Sequence, residues 1–254
     1  MRIFWVALRK EMIEQWRSYR LVVVGAVLLV FGFASPLLAK YGPEMIRLAL
    51  PEGEAILQLI PEPTAADAVS QYLKNISQFG ILLAVLMTMG AVAQEKDKGT
   101  AALMLVKPLP RAVFLAAKMV ALGLTFATGI ALAAVACYYY TMLVFEALSP
   151  SAWLALNGLL LLFILVYVAL TLLCSTLSRS QVVSGALAFG FLVVLSALGA
   201  VPRLGDYLPG RLTTWAASLF TGGGVSAWPA LAVSVGLIVA ALLAAWLIFE
   251  RQEL

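Results

Sequence analysis

Six stretches of this chain run for about the length of a membrane span without a single charged residue: Leu21 to Ala39, Ile76 to Ala93, Met119 to Phe145, Trp153 to Leu177, Val182 to Ala200 and Trp228 to Phe249. A hydrocarbon core about 30 Å thick takes roughly 20 apolar residues per helical crossing. Nothing in these runs alternates at period two, as a barrel strand would, and their backbone groups must be satisfied within the membrane. The fold class expected is therefore all-α and integral to a membrane, with six transmembrane helices. Composition agrees: of 254 residues, 63% are hydrophobic and 12% charged, with a mean hydropathy of +1.00.

The first run follows a charged segment and has no small-x-small cleavage site, so it reads as a span that stays in the chain and not as a signal peptide. Lys and Arg placement orients the spans. Arg2, Arg9, Lys10, Arg17, Arg20, Lys96, Lys98, Lys107, Arg111, Lys118, Arg179 and Arg251 fall on the side shared by both termini, and only Lys40, Arg47, Lys74, Arg203 and Arg211 on the other. Both termini are expected in the cytoplasm, in a multi-pass protein of the cell membrane. The net charge of +4 is mostly this topology signal and not a nucleic-acid footprint.

Residues 1–20 are expected to form an amphipathic interfacial helix, and 21–254 a single transmembrane domain. Trp5, Leu8, Met12, Trp16 and Tyr19 recur at helical spacing with arginines beside them. Such a stripe suits a helix in the cytoplasmic headgroup layer, with Trp5, Trp16, Arg17 and Arg20 as its membrane-interface residues; a lead-in helix packed on protein is the alternative. Residues 40–75 read as a long outer loop in which "TAAD" (64–67) fits a capping box opening the second span. "NIS" (75–77) matches a glycosylation sequon but sits at the mouth of that span and is discounted. Residues 201–227, with two prolines and a Gly triplet, read as an outer re-entrant or interfacial segment whose Asp206 and Arg211 read as solvated, with pairing across the loop or gating of an exit as the alternatives. Tyr138, Tyr139 and Tyr140 read as an aromatic belt at the outer interface, with cargo contact as the alternative.

The connector 94–111, within "AVAQEKDKGTAALMLVKPLPRAVFLAAK", is the chain's most informative charged segment. Gly99 supplies a bend, Thr100 caps a short helix "AALMLV", Pro108 and Pro110 stop it, and Arg111 and Lys118 bracket the start of the third span. A short helix held across the inner face, with Leu103, Met104, Leu105 and Val106 available to a groove and charges on either side, suits docking to another protein; the alternative is a plain loop along the headgroups.

This segment resembles the first cytoplasmic connector of ABC-type export permeases of the type-2 class, in Glu95, Gly99, Thr100, Leu103, Pro108, Arg111 and Lys118. The likeness extends to the interfacial helix, the six spans, the long first outer loop and the tight "STLSRSQ" turn. It departs in Ala102, where an acidic residue often follows the Gly-Thr, and in the extra proline of "KPLPR". The resemblance implies a coupling helix seated in a separate ABC ATP-binding subunit, with Glu95, Lys96, Asp97, Lys98, Gly99, Thr100, Leu103, Met104, Pro108 and Arg111 as the ATPase-coupling residues. It also implies two permease copies, as a homodimer or a heterodimer with a paralogue, above two ATPase subunits.

No G-x-x-x-x-G-K-[ST] loop is present, so no cofactor is expected on this chain, and ATP-Mg belongs to the partner. The near absence of ionisable residues within the spans argues against an ion-coupled carrier. A lipid-acting membrane enzyme lacks support, since histidine is absent and the largest group of carboxylates, five of the 13, falls in an outer loop. Cys137 and Cys174 read as small buried side chains. The uncharged runs "GLLLLFILVYVAL" and "GALAFGFLVVLSALG" suit a hydrophobic or amphipathic exported cargo. A membrane anchor or immunity-type protein that recruits an ATPase without transport is the remaining alternative.

Overall fold

The structure, a computed structural model, describes residues 2–49, 62–99 and 110–252, and no strand occurs among them. Helix α1 (Arg2–Arg17) leads into α2 (Arg20–Ala49); α3 (Ala65–Thr88) breaks over four residues into the short α4 (Ala93–Asp97). Then come α5 (Arg111–Val144), α6 (Pro150–Leu177), α7 (Gln181–Gly199), a 3₁₀ turn (Gly205–Tyr207), α8 (Gly210–Thr221) and α9 (Trp228–Glu250). Among the described residues six helices are long and apolar enough to cross a membrane: α2, α3 continued through α4, α5, α6, α7 and α9.

The six spans match the six apolar runs, but their ends do not. Two helices extend into the stretch that the sequence marks as the outer loop: α2 runs ten residues past Ala39, and α3 begins at Ala65. The Asp67 carboxylate sets that start, accepting hydrogen bonds from the Thr64 backbone N–H at 2.8 Å and the Thr64 hydroxyl at 2.7 Å, the reciprocal contact of a capping box. Pro36 and Pro43 lie inside α2. A helix-interior proline removes one ladder hydrogen bond. Beside Pro36 the Ser35 hydroxyl donates to the Phe31 carbonyl at 2.6 Å and accepts from Asn75 Nδ2 at 3.0 Å, tying the bend to α3. Asn75 is thereby buried, which removes it from any role as a glycan acceptor.

Small residues set the tightest pairing, α2 against α5. A Cβ on Gly32 would stand 2.5 Å from the Ala133 carbonyl oxygen, and one on Gly129 about 3.0 Å from Leu28. Close backbone approach through small residues is the usual means of helix association in lipid, where apolar side chains gain little by leaving the bilayer. Helix α6 lies at the centre, touching α3, α5, α7, α8 and α9. Its residues Leu156, Ile164, Val166, Val168 and Leu172 are fully buried, so most of the first uncharged run is packed core. Helix α7 presents most of its apolar residues outward, and α9 is largely half-buried or exposed along its length. Cys137 and Cys174 are buried and free.

Between α7 and α9, the 201–227 segment packs on α6 through α8, whose Leu212 and Ala216 are fully buried. Gly222, at φ +71°, ends α8 in the left-handed conformation that glycine adopts without a Cβ penalty. Arg211 and Asp206 form an ion pair at 3.3 Å, and both side chains remain exposed to solvent, so pairing across the loop and solvation hold together. The Tyr138 hydroxyl donates to the Leu148 carbonyl at 3.2 Å, while Tyr139 is exposed.

Candidate functional site: a buried ionic clamp on the connector

Helix α1 presents two kinds of surface. Leu8, Glu11 and Gln15, spaced i, i+3, i+7, form a buried edge against the protein, whereas Trp5 and Trp16 are about two-thirds exposed. Arg17 is exposed and Arg20 half-buried. The expected stripe is thus divided: Leu8 turns inward with two polar residues, and the tryptophans face away.

The inward edge meets the start of the connector. Lys118, two turns into α5, is 2% exposed, so it lies inside the bundle and not at the surface. Its Nζ sits 3.0 Å from Glu11 Oε2 and 2.9 Å from Glu95 Oε1. Lys10 completes the group, 2.9 Å from Glu11, 3.1 Å from Glu14 and 3.2 Å from Glu95. One ammonium therefore joins α1, α4 and α5, and a second joins α1 and α4. Such pairs repay desolvation only through good geometry, and removing one partner strands a charge at a cost of about 3–5 kcal/mol. Burial alone lowers the Lys10 pKa, but the hydrogen bond and charge of Glu11, with the charges of Glu95 and Glu14, outweigh it and hold the ammonium above the usual lysine range. For Glu14, burial pushes the carboxyl up, while the charges of Lys118 and Lys10 win and hold it below its ordinary value. The carboxylates of Glu11, Glu14 and Glu95 also lie within 4.8 Å of one another, a spacing that suits a metal ion. Here the two lysine ammoniums already supply the positive charge.

The rest of the connector's first half is fixed to neighbouring helix ends. Ser175 of α6 accepts from the Val92 and Ala93 N–H groups at 3.0 Å each and donates to the Met89 carbonyl at 2.9 Å, satisfying the groups freed where α3 breaks. Lys96 donates to the Thr176 carbonyl at the end of α6, and Gln252 reaches the same oxygen at 3.1 Å. Gln94 bonds Gln181 at the start of α7. On the far side of the connector, Arg111 donates to the carbonyls of Phe249, Glu250 (2.9 Å) and Gln252 (3.0 Å) at the end of α9. A cation there complements the helix dipole.

The sequence-derived coupling residues therefore divide. Glu95, Lys96 and Arg111 make their contacts within this chain. Asp97, Lys98 and Gly99 are exposed, with Gly99 at φ +67° and its N–H on the Lys96 carbonyl at 3.1 Å. Thr100, Leu103, Met104 and Pro108 lie outside the described residues. Sequence reasoning missed Glu11, Glu14 and the interior place of Lys118. The available signals were the Leu8-Glu11-Gln15 spacing and the seven-residue step from Arg111 to Lys118 into an otherwise uncharged helix.

Six helices long and apolar enough to span, with a charged connector clamped at one end of the bundle, define a polytopic membrane protein. The chain belongs to the ABC-2 family transporter proteins, whose sequence profile it matches over residues 5–254. It is also 30% identical over 219 residues to the uncharacterized transmembrane protein YxlG of Bacillus subtilis (strain 168), an alignment that covers 84% of this chain and 83% of the relative. Membership makes it a membrane component of an ABC transporter, and it implies an ATP-binding partner subunit.

Proposed function

We propose that the chain is the permease subunit of an ATP-driven exporter, moving a hydrophobic or amphipathic cargo with ATP hydrolysed by a separate subunit. Two copies of the chain, or this chain and a paralogue, would stand above two ATPase subunits in the cell membrane, with both termini cytoplasmic. The observation that carries this reading is the clamp. Lys118 joins Glu95 of the connector to Glu11 of α1 through buried ion pairs, Lys10 adds a partly exposed one, and Asp97 to Gly99 stay exposed. A push received beyond Gly99 would pass to three helices as one body and not dissipate in a loop. Trp5 and Trp16, exposed beside Arg17 and Arg20, would seat α1 in the inner headgroup layer, so that the clamp moves relative to the bilayer.

The test is reconstitution of the complex purified from native membranes into liposomes, with ATP hydrolysis and movement of a fluorescent amphipathic tracer both followed. Tracer movement that requires ATP and stimulates hydrolysis supports export. An ATPase that binds but is never stimulated, with no tracer movement, contradicts it and favours an anchor that only recruits the ATPase.

A further inference from the structure

At the end of the bundle opposite the termini, α3, α6 and α7 and the 201–214 segment enclose a cavity of about 560 Å³. Its walls are of two kinds. Ile81, Phe163 and Leu195 are apolar, whereas Arg203, Asp206 and Arg211 are charged. The same three charged residues also line an adjoining hollow of about 400 Å³, so they form a rim shared by both spaces. Asp206 pairs with Arg211 through Nε at 3.3 Å. Among the described residues no carboxylate pairs with Arg203, which leaves the rim with one net positive charge. Arg203 also holds φ +68°, a backbone conformation uncommon for a residue with a side chain.

Tyr167 adds a second polar signal from the opposite wall. It is 6% exposed and lines the cavity, yet its phenol hydroxyl has no hydrogen-bond partner among the described residues. That hydroxyl is not one of the sealed, unsatisfied polar atoms of the described residues; it opens onto the cavity and is available to a ligand acceptor. Height fits as well. Helix α7 has 19 residues and rises about 28 Å, close to the hydrocarbon thickness of about 30 Å. The charged rim follows its far end and so stands at headgroup level. Tyr167 lies ten residues from the near end of α6, about 15 Å, roughly halfway across.

We infer that this cavity is a binding site for an amphipathic anion, a molecule with a phosphate or carboxylate head on an alkyl chain. The head is held by Arg203 and Arg211, and the chain lies along Ile81, Phe163 and Leu195 toward Tyr167. Arginine suits this role because its planar fork meets phosphate and carboxylate oxygens in pairs. Asp206 orients Arg211 and also repels the head, which keeps occupancy reversible. The inference concerns binding alone, so it stands apart from the direction of transport and from any ATPase.

The experiment is equilibrium binding to the full chain in nanodiscs of dioleoylphosphatidylcholine, with radiolabelled oleate and dioleoylphosphatidate as probes. Unlabelled phosphatidylcholine and inorganic phosphate serve as competitors. Both anionic probes are expected to bind saturably, with neither competitor displacing them. Arg203→Gln and Arg211→Gln should each weaken binding about tenfold, the loss of one charge-assisted hydrogen bond, and Tyr167→Phe about threefold. Asp206→Asn should tighten it, a gain that a merely misfolded variant cannot show. Binding of phosphatidylcholine equal to that of the anions, displacement by free phosphate, or unchanged binding in both arginine variants and in Asp206→Asn would each overturn the inference.

Discussion

Lys118 holds the two carboxylates of Glu11 and Glu95 inside the protein, so the largest single-residue effects should appear there. Lys118→Met should destabilise the detergent-solubilised protein by about 3–5 kcal/mol, read from chemical denaturation. Combining it with Glu11→Gln should recover part of that loss, because the second change removes one stranded charge. Acid should loosen the same clamp. Glu14 has a folded-state pKa below its unfolded value. Its contribution is therefore complete above the unfolded value, about 4.3, and is lost as pH falls through the lower folded value. Protection of the α1 amides, taken relative to the intrinsic exchange rate at each pH, should accordingly stay high from neutral pH to about 5 and fall below about 4. If α1 is as strongly protected, relative to the intrinsic rate, at pH 3.5 as at pH 7, the ion pairs do not hold that helix. The charges themselves were legible in the sequence, and Glu95 was singled out. The pairing was not, because Glu11 and Lys118 lie 107 positions apart and no local pattern links them.

Helices were the most legible level, since absence of charge over a membrane's thickness leaves few other structures open. Their ends were less so. The start of α3 is the exception, marked by the capping box at Thr64, whereas the tolerated prolines of α2 let that helix continue beyond its apolar run, where hydropathy carries no signal. The break between α3 and α4 was also hidden, because Ser175, from a different helix, satisfies its backbone groups. Two substitutions test element geometry. Gly32→Leu would drive a side chain into the Ala133 backbone and should cost about 1–3 kcal/mol through overpacking, seen as a lower melting temperature in detergent. Gly99→Ala meets no atom within 4 Å, so its cost of about 1–2 kcal/mol is purely the left-handed backbone. It should fall on the connector alone, measured as faster hydrogen exchange at residues 95–99 with α5 unchanged.

On the scale of the whole molecule, six helices long and apolar enough to span a membrane match the count that the resemblance to type-2 export permeases implied, and the family match over residues 5–254 agrees. The partner was legible only through that resemblance, because no ATP-binding motif of this chain names it and the exposed residues Asp97 to Gly99 carry no signature of what they meet. The central claim is that the connector couples this chain to a separate ATPase, and affinity purification from native membranes in mild detergent, with Gly99→Pro beside the wild type, tests it most directly. Proline cannot adopt φ +67° and lacks the N–H that bonds Lys96. The account predicts an ATP-binding subunit in stoichiometric amount with the wild type and its loss from Gly99→Pro while the six-span bundle remains folded. No ATP-binding subunit with either protein, or equal amounts with both, would contradict it.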